Sequence, residues 1–273
     1  MASEKNDAVH YQRSADIPGL VLGTGRFSEF HFDRHYHLDY HIGLVTVGAQ
    51  RQHFQGGSIV ASPGSIALMP PGEIHDGIGE GNRPYTLKTF RLSSSLLQDL
   101  AQEITGSQRQ PDFAAGLLED ARLAKHLLRL HEAMHSPVGI SALAIQSEWL
   151  AQLHFLFAQS GAIQPGKVDA KLAPAQWQMI KDYCLAHLSE KITLDTLAAL
   201  CGLGRFHFLR QFKHTVGMTP HAWLLRLRLE QACTLLAQGV HTLTDVAQNV
   251  GFYDQSHFNR AFRHAYGVAP SSY

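Results

Sequence analysis

Histidine is the residue type that stands out in this chain, with 18 in 273 residues. Three of them have a spacing that could do chemistry together. His35 and His37 stand two apart in HFDRHYHLDYHIGLVTV, and on an extended strand alternate residues project to the same side. His75 closes the run GSIALMPPGEIH, whose Gly64, Pro70, Pro71 and Gly72 impose a turn. Converging imidazoles can donate and accept hydrogen bonds to a polar ligand near neutral pH. They can equally offer lone pairs to a divalent metal. A second chemistry lies near the other end, where Arg205, Arg210, Lys213, Gln255, Ser256, His257 and Arg260 fall in short apolar-periodic segments. Arginine matches a guanine edge, glutamine an adenine edge, and Phe or Leu a thymine methyl.

The elements that must position the histidines are strands. From about residue 20 to 92, short apolar runs are cut by Gly and Pro (GLVLGTGRFSEFHF, YHIGLVTVGAQRQHF, GSIVASPGSIALMPPGEIHDG, YTLKTFRL), which predicts a sandwich or small barrel. Residues 112–160 then carry apolar residues at helical spacing, first Leu117, Ala121, Leu127, Leu128 and Leu130, then Leu143, Trp149, Leu150, Leu153 and Leu156. The break at Ser136-Pro137 separates two helices. They are expected to cap the barrel or to form a dimerisation surface. Residues 161–174, GAIQPGKVDAKLAP, have no periodicity and read as a linker.

Beyond the linker the sequence repeats itself. Thr193-Leu194-Asp195-Thr196-Leu197-Ala198 recurs as Thr242-Leu243-Thr244-Asp245-Val246-Ala247, and Gly202 recurs as Gly251. After one extra residue, Phe208, Arg210, Phe212, Lys213, His214, Gly217 and Pro220 return as Phe258, Arg260, Phe262, Arg263, His264, Gly267 and Pro270. In each copy a threonine N-cap opens a short helix, a glycine ends it, and a tight turn leads to a second helix anchored by an i,i+4 Phe pair. That is a helix-turn-helix unit. A long helix from Thr219-Pro220 through Trp223, Leu224, Leu227, Leu235 and Leu236 to Gly239 holds the two units apart.

Residues 174–273 resemble the DNA-binding domain of AraC/XylS transcription regulators, most specifically through DVAQNVGFYDQSHFNRAFRHAYGVAPSSY. The resemblance implies two recognition helices in successive major grooves on one DNA face. It also implies that Phe206, Leu209 and Arg210, then Gln255, Ser256, His257 and Arg260, read bases or phosphates. The faces opposite the Phe anchors hold Arg205, Phe206, His207, Leu209, Arg210 and Lys213 in one unit, and Tyr253, Asp254, Gln255, Ser256, His257, Asn259, Arg260 and Arg263 in the other. The competing reading puts Phe206 and Leu209 in the core and the arginines in ion pairs. Gly204 departs from the family, which usually has a Ser or Thr cap there.

Gly64 to His75 is similar to the second cupin motif, G-x5-P-x-G-x2-H, and His35-Tyr36-His37 followed by Gly48 to the first. Metal-binding cupins usually add a Glu after the HxH, whereas this chain has Asp39, Tyr40 and His41. A small-molecule pocket lined by His35, His37 and His75 is therefore expected. A divalent metal on the same three residues is the alternative, and a purely structural turn is the third reading. Tyr40, Arg51 and Tyr85, on or beside the strands, are further pocket candidates. His53, His126, His131, His135 and His154 read as surface or packing residues.

Composition bounds the rest. Residues 1–170 carry 13 Lys and Arg against 17 Asp and Glu, and residues 171–273 carry 10 against 6, so the second half suits nucleic acid. Three scattered cysteines, Cys184, Cys201 and Cys233, exclude a disulfide scaffold and the N-terminal cysteine cluster of a DNA-alkyl-repair protein. The start MASEKNDAVHYQRSAD has no apolar stretch, and no run approaches the ~18 residues that span a bilayer. The expectation is a cytoplasmic, two-domain α+β protein with no membrane partner. Residues 1–163 form a cupin-like barrel with two following helices, residues 164–173 a linker, and residues 174–273 an all-α domain with two helix-turn-helix units. It is expected to be a transcription regulator and no enzyme, binding double-stranded DNA and a small-molecule effector as a homodimer, without cofactor, and meeting RNA polymerase if it activates. A metal-dependent cupin enzyme with an accessory DNA-binding domain is the alternative.

Overall fold

The computed structural model describes residues 7–54, 56–105, 114–136, 140–161, 170–238 and 240–273. The chain divides into two compact units. The first holds residues up to 136 and 149–166, and the second holds 137–148 and 167–273.

The first unit is built on two antiparallel sheets. The strands are β1 Ala8–Arg13, β2 Leu20–Phe27, β3 Phe32–His35, β4 Tyr40–Val47, β5 Gln50–Phe54, β6 Gly57–Ala61, β7 Ser65–Met69, β8 His75–Gly79, β9 Tyr85–Leu92 and β10 Gly116–Glu119. One sheet runs β1-β2-β9-β4-β7-β10 and the other β3-β8-β5-β6. Strand alternation sorts the six-stranded sheet into two faces. Leu22, Ile42, Leu68 and Phe90 are buried on one, where Phe90 meets the rings of His131 and Trp149, each at 5.2 Å. Gly23, His41, Gly43, Ala67, Met69, Leu87, Thr89 and Arg91 belong to the other, which faces a cavity.

The helices of this part are α1 Ser94–Thr105, α2 Ala121–His135 and α3 Ala142–Gln159. The last two are those expected from the sequence. α2 opens on Asp120, whose carboxylate accepts from Leu123 N, and closes at Ser136; Pro137 lies outside the described residues. Leu117 corrects the helical reading of its segment. It sits in β10, opposite Ala67 of β7, and packs on the Val45, Ala61 and Ala67 cluster. Leu127, Leu130, Leu143, Trp149, Leu150, Leu153 and Leu156 are all buried within the chain. The apolar stripe expected either to cap the barrel or to pair two copies is thus buried inside the chain, as the first role requires.

The second unit contains α4 Pro174–Ala186, α5 Leu194–Leu200, α6 Arg205–Val216, α7 Pro220–Gln238, α8 Leu243–Asn249 and α9 Gln255–Tyr266. The two repeats fold alike. Thr193 Oγ1 accepts from Thr196 N and Thr242 Oγ1 from Asp245 N. The turns that follow α5 and α8 place Gly202 at φ 65° and Gly251 at φ 82°, a region that favours glycine. Phe208 and Phe212, and Phe258 and Phe262, are fully buried with ring centroids 5.6 Å apart in both pairs. Trp177 and Trp223 complete the first cluster against Phe212 at 5.7 and 5.8 Å.

One boundary differs from expectation, and two expected ones cannot be compared. Residues 164–169 of the expected linker and Gly239 at the end of the long helix lie outside the described residues. Residues 137–148 join the second unit rather than the first. The reason is polar as well as apolar: buried Gln146 accepts from Leu194 N at 2.8 Å and donates to Asp195 Oδ2 at 3.0 Å. Ser141 Oγ hydrogen-bonds His221 Nδ1 at 3.1 Å.

Candidate functional sites: a histidine-lined cavity and two helix-turn-helix faces

The register of β3 and β8 sets His35 directly across from His75. His37 follows two residues on, and its carbonyl accepts from Gly72 N at 2.8 Å, so the proline-glycine turn pins the chain beside it. One nitrogen of each of His35, His37 and His75 then lies within 4.8 Å of the others. His35 Nδ1 donates to Asp33 O at 2.6 Å and His75 Nδ1 to Glu73 O at 2.9 Å. Each bond fixes the tautomer, so the Nε2 of each ring carries the lone pair. His35 Nε2 accepts from His37 Nε2 at 3.1 Å.

The cluster borders a cavity of about 720 Å³, its open mouth included. Both sheets line it, with Phe32, Gln50, Gln52 and Gly77 opposite Gly25, His41, Thr89 and Arg91. At Gly77 a Cβ would stand 2.7 Å from Gln50 Nε2, so glycine lets the two strands' residues approach there. Burial first, then the neighbouring histidines and Arg91, lower the pKa of His37 to about 4 and of His41 to about 2. Burial also lowers that of His75. These rings are neutral hydrogen-bonding groups at physiological pH.

Sequence reasoning missed His41, Gln52 and Arg91. His41 stacks on His37 at 3.8 Å and pairs in register with Arg91, whose guanidinium bonds Asp39 Oδ2 at 3.1 Å. Alternation sorts His41 and Gly43 to one face of β4, Thr89 and Arg91 to one face of β9 and Gln50 and Gln52 to one face of β5, but which face meets the cavity depends on strand pairing that the sequence does not state. Three further candidates stand elsewhere. Tyr40 is fully buried beside Phe157, on the helix-covered face. Arg51 points to Glu80, held by two 2.7 Å bonds. Tyr85 is buried under Phe27 and accepts from Gln50 Nε2 at 3.1 Å, so it orients a cavity residue without lining the cavity.

The recognition helices α6 and α9 share an anchor but present different faces. Phe206 and Leu209 are 2% and 8% exposed, which corrects the expectation that they reach bases. Arg210 lies over the Phe206 ring at 5.6 Å, and Arg205 stands 3.5 Å from Asp195. His207 is half-buried and Lys213 exposed. In α9 the counterparts of Phe206 and Leu209 are Ser256 and Asn259, so the second face is polar. Asn259, Arg260, Arg263 and His264 line an outward groove. Ser256 is exposed, and Gln255 Oε1 accepts from Thr244 Oγ1 at 2.9 Å. His257 turns inward, lining a cavity with Phe252, His221 and Arg228, and is corrected from a base-reading candidate to a packing residue. The caps differ as well: Gly204 offers no side chain to α6, whereas Asp254 accepts from His257 N at 2.6 Å.

Comparison with known proteins gives matches over both units. Residues 17–153 match the AraC-like ligand binding domain family and residues 197–273 a helix-turn-helix domain family. The chain is 28% identical over 243 residues to the HTH-type transcriptional regulator YbfI of Bacillus subtilis, covering 88% of this chain and 86% of the relative. It is 26% identical over 251 residues to the transcriptional activator RhaS of Klebsiella pneumoniae, covering 90% and 88%. Among solved structures, ToxT of Vibrio cholerae aligns over 96% of each chain at 12% identity and TM-score 0.41. The DNA-binding domain of AdpA in complex with a target DNA covers 37% of this chain and 90% of that one, at 30% identity and TM-score 0.35. Among the described residues no helix is long and apolar enough to cross a membrane.

Proposed function

Because the chain belongs to the AraC family of DNA-binding transcription regulators, with an N-terminal ligand-binding domain, we propose that a small polar effector enters the histidine-lined cavity and alters sequence-specific operator binding by α6 and α9. One observation carries this reading: a cavity between two sheets, lined by histidines, Gln50, Gln52, Thr89 and Arg91 among apolar residues, stands in the same chain as two helix-turn-helix units with outward basic residues. Arg260, Arg263 and Lys213 supply charge for phosphates and guanine edges. His37, His41, Gln52 and Thr89 supply donors and acceptors for the effector.

In this reading the protein is a regulator and no enzyme. The relatives named above are regulators, and Asp76, the one carboxylate lining the cavity among the described residues, is engaged by His53 N at 2.8 Å and His53 Nδ1 at 3.0 Å. The working form is a homodimer meeting RNA polymerase at activated promoters. Its copies meet through faces other than the apolar stripe of α2 and α3, which is in the core.

The test starts from DNA fragments selected by the full-length protein from a random pool. Tight binding to selected over scrambled DNA, with a mass-identified small molecule leaving the protein on denaturation, is expected. Equal affinity for selected and scrambled DNA at physiological salt would remove the operator-binding reading.

A further inference from the structure

We infer that Arg228 and Gly251 form a joint that fixes the separation of the two recognition helices, and so decides which spacing of base-contact segments in DNA the protein accepts. This rests on the reading that α6 and α9 bind DNA. The turns of the two repeats are alike in their own backbones. Gly202 N donates to Ala199 O and Gly251 N to Gln248 O, each at 3.0 Å, while Leu203 N donates to Ala198 O at 3.0 Å and Phe252 N to Ala247 O at 2.9 Å. Both glycines have positive φ, so each turn needs its glycine. Their surroundings differ. A Cβ at Gly202 would meet nothing within 4 Å among the described residues, whereas one at Gly251 would overlap Leu188 O and stand 2.7 Å from Arg228 Nη2. The close approach at Gly251 is therefore an addition to the turn and no part of making it.

What Gly251 packs on belongs to the other repeat. Leu188 and Glu190 lie between α4 and α5, in the segment leading to the Thr193 cap that opens the first repeat. Their carbonyls accept from Arg228 Nη2 at 3.0 and 3.2 Å. Arg228 stands in α7, the helix that joins the two repeats. One guanidinium thus ties together the lead-in to α5, the long helix and the turn before α9, through hydrogen bonds strengthened by its charge. Each recognition helix follows its side of the joint. Arg205 at the start of α6 stands 3.5 Å from Asp195 of α5. Phe252, next to Gly251, is 6% exposed, and its ring meets those of His257 and Phe258 of α9 at 5.2 Å. One base pair advances a groove by about 3.4 Å and turns it by about 35°, so two helices held at a fixed separation engage one spacing.

The experiment uses full-length protein and DNA that it has selected from a random pool, with the two contacted segments located by footprinting. One base pair is then inserted or removed between them, and the ratio of the Kd for altered DNA to that for parent DNA is measured. For wild type the ratio should be about thirtyfold or more, since a shifted groove costs one helix its base contacts. Arg228→Gln and Gly251→Ala should lower the ratio to about fivefold or less, and Arg228→Lys, which keeps a charged donor, should fall between. Gly202→Ala strains the matching turn without touching the joint, so it should weaken binding to parent and altered DNA alike and keep the wild-type ratio. Should Arg228→Gln fail to fold, Gly251→Ala and Arg228→Lys carry the same comparison. A wild-type ratio in the folded joint variants, or an equal fall in Gly202→Ala and Gly251→Ala, would overturn the joint while selective binding by wild type leaves the regulator reading standing. A wild type that does not distinguish selected from scrambled DNA would overturn both.

Discussion

Arg260 and Phe206 are both expected from the sequence to meet DNA, yet the two residues have opposite surroundings. Arg260 is exposed in a basic groove, so Arg260→Ala is expected to weaken binding to selected DNA by about 1–3 kcal/mol and to flatten its salt dependence, measured by fluorescence anisotropy at several salt concentrations. Phe206 is 2% exposed; Phe206→Ala should cost about 3–5 kcal/mol of stability in denaturant titration, by leaving a cavity. Unchanged stability in that variant would return Phe206 to the interface. His131 offers a pH test. It is buried against Phe90, its Nε2 donates to Gly23 O at 3.0 Å, and burial holds its pKa at about 4. The unfolded chain therefore binds a proton near pH 6.5 that the folded chain refuses until about 4, so stability falls as pH drops through that window. His131→Gln keeps a donor for Gly23 O and should reduce the slope of unfolding free energy against pH between 6.5 and 4. An unaltered slope would show that His131 does not titrate as its burial requires.

Among the elements, α3 decides the most. Its first residues pack in the second unit, where Gln146 satisfies the Leu194 amide at the start of α5 and holds Asp195, itself 3.5 Å from Arg205. An amide at a helix N-terminus has no partner inside the helix. Gln146→Ala should therefore lower the stability of a fragment of residues 137–273 by about 1–3 kcal/mol, and the shorter fragment 167–273 should unfold at lower temperature than 137–273. Equal melting temperatures for the two fragments would show that residues 137–148 add nothing to this unit. The two recognition helices also differ at their starts. Asp254→Ala removes the α9 cap and should cost about 1 kcal/mol, whereas Gly204→Ser gives α6 a cap worth a few tenths, both read by thermal unfolding of the 137–273 fragment.

At the scale of the molecule, assembly is the open quantity. Leu127, Leu130, Trp149, Leu150, Leu153 and Leu156 are inside the chain, so a dimer made through polar faces should dissociate more readily in salt than an apolar one. Sedimentation equilibrium of the full-length protein at low and high salt checks this, and a dimer indifferent to salt would point to an apolar interface instead.

The sequence by itself determined the second unit almost completely, because a helix-turn-helix repeat writes its caps, glycine turns and Phe pairs at local spacings that short-range physics enforces. Thr193, Thr242, Gly202, Gly251 and the 5.6 Å Phe pairs all stand where the repeat placed them. The His35, His37 and His75 set was also legible, since strand alternation and a proline-glycine turn are local signals. Only the tertiary structure decided that His41 and Arg91 join that cavity, that Tyr40 leaves it, and that Leu117 is a strand residue beside Ala67. Each depends on which strands become neighbours across long stretches of chain. The same holds for Phe206, Leu209 and His257. Their positions on a helix are periodic, but whether a flank is core or surface depends on what packs against it, and one helix's spacing does not contain its neighbour.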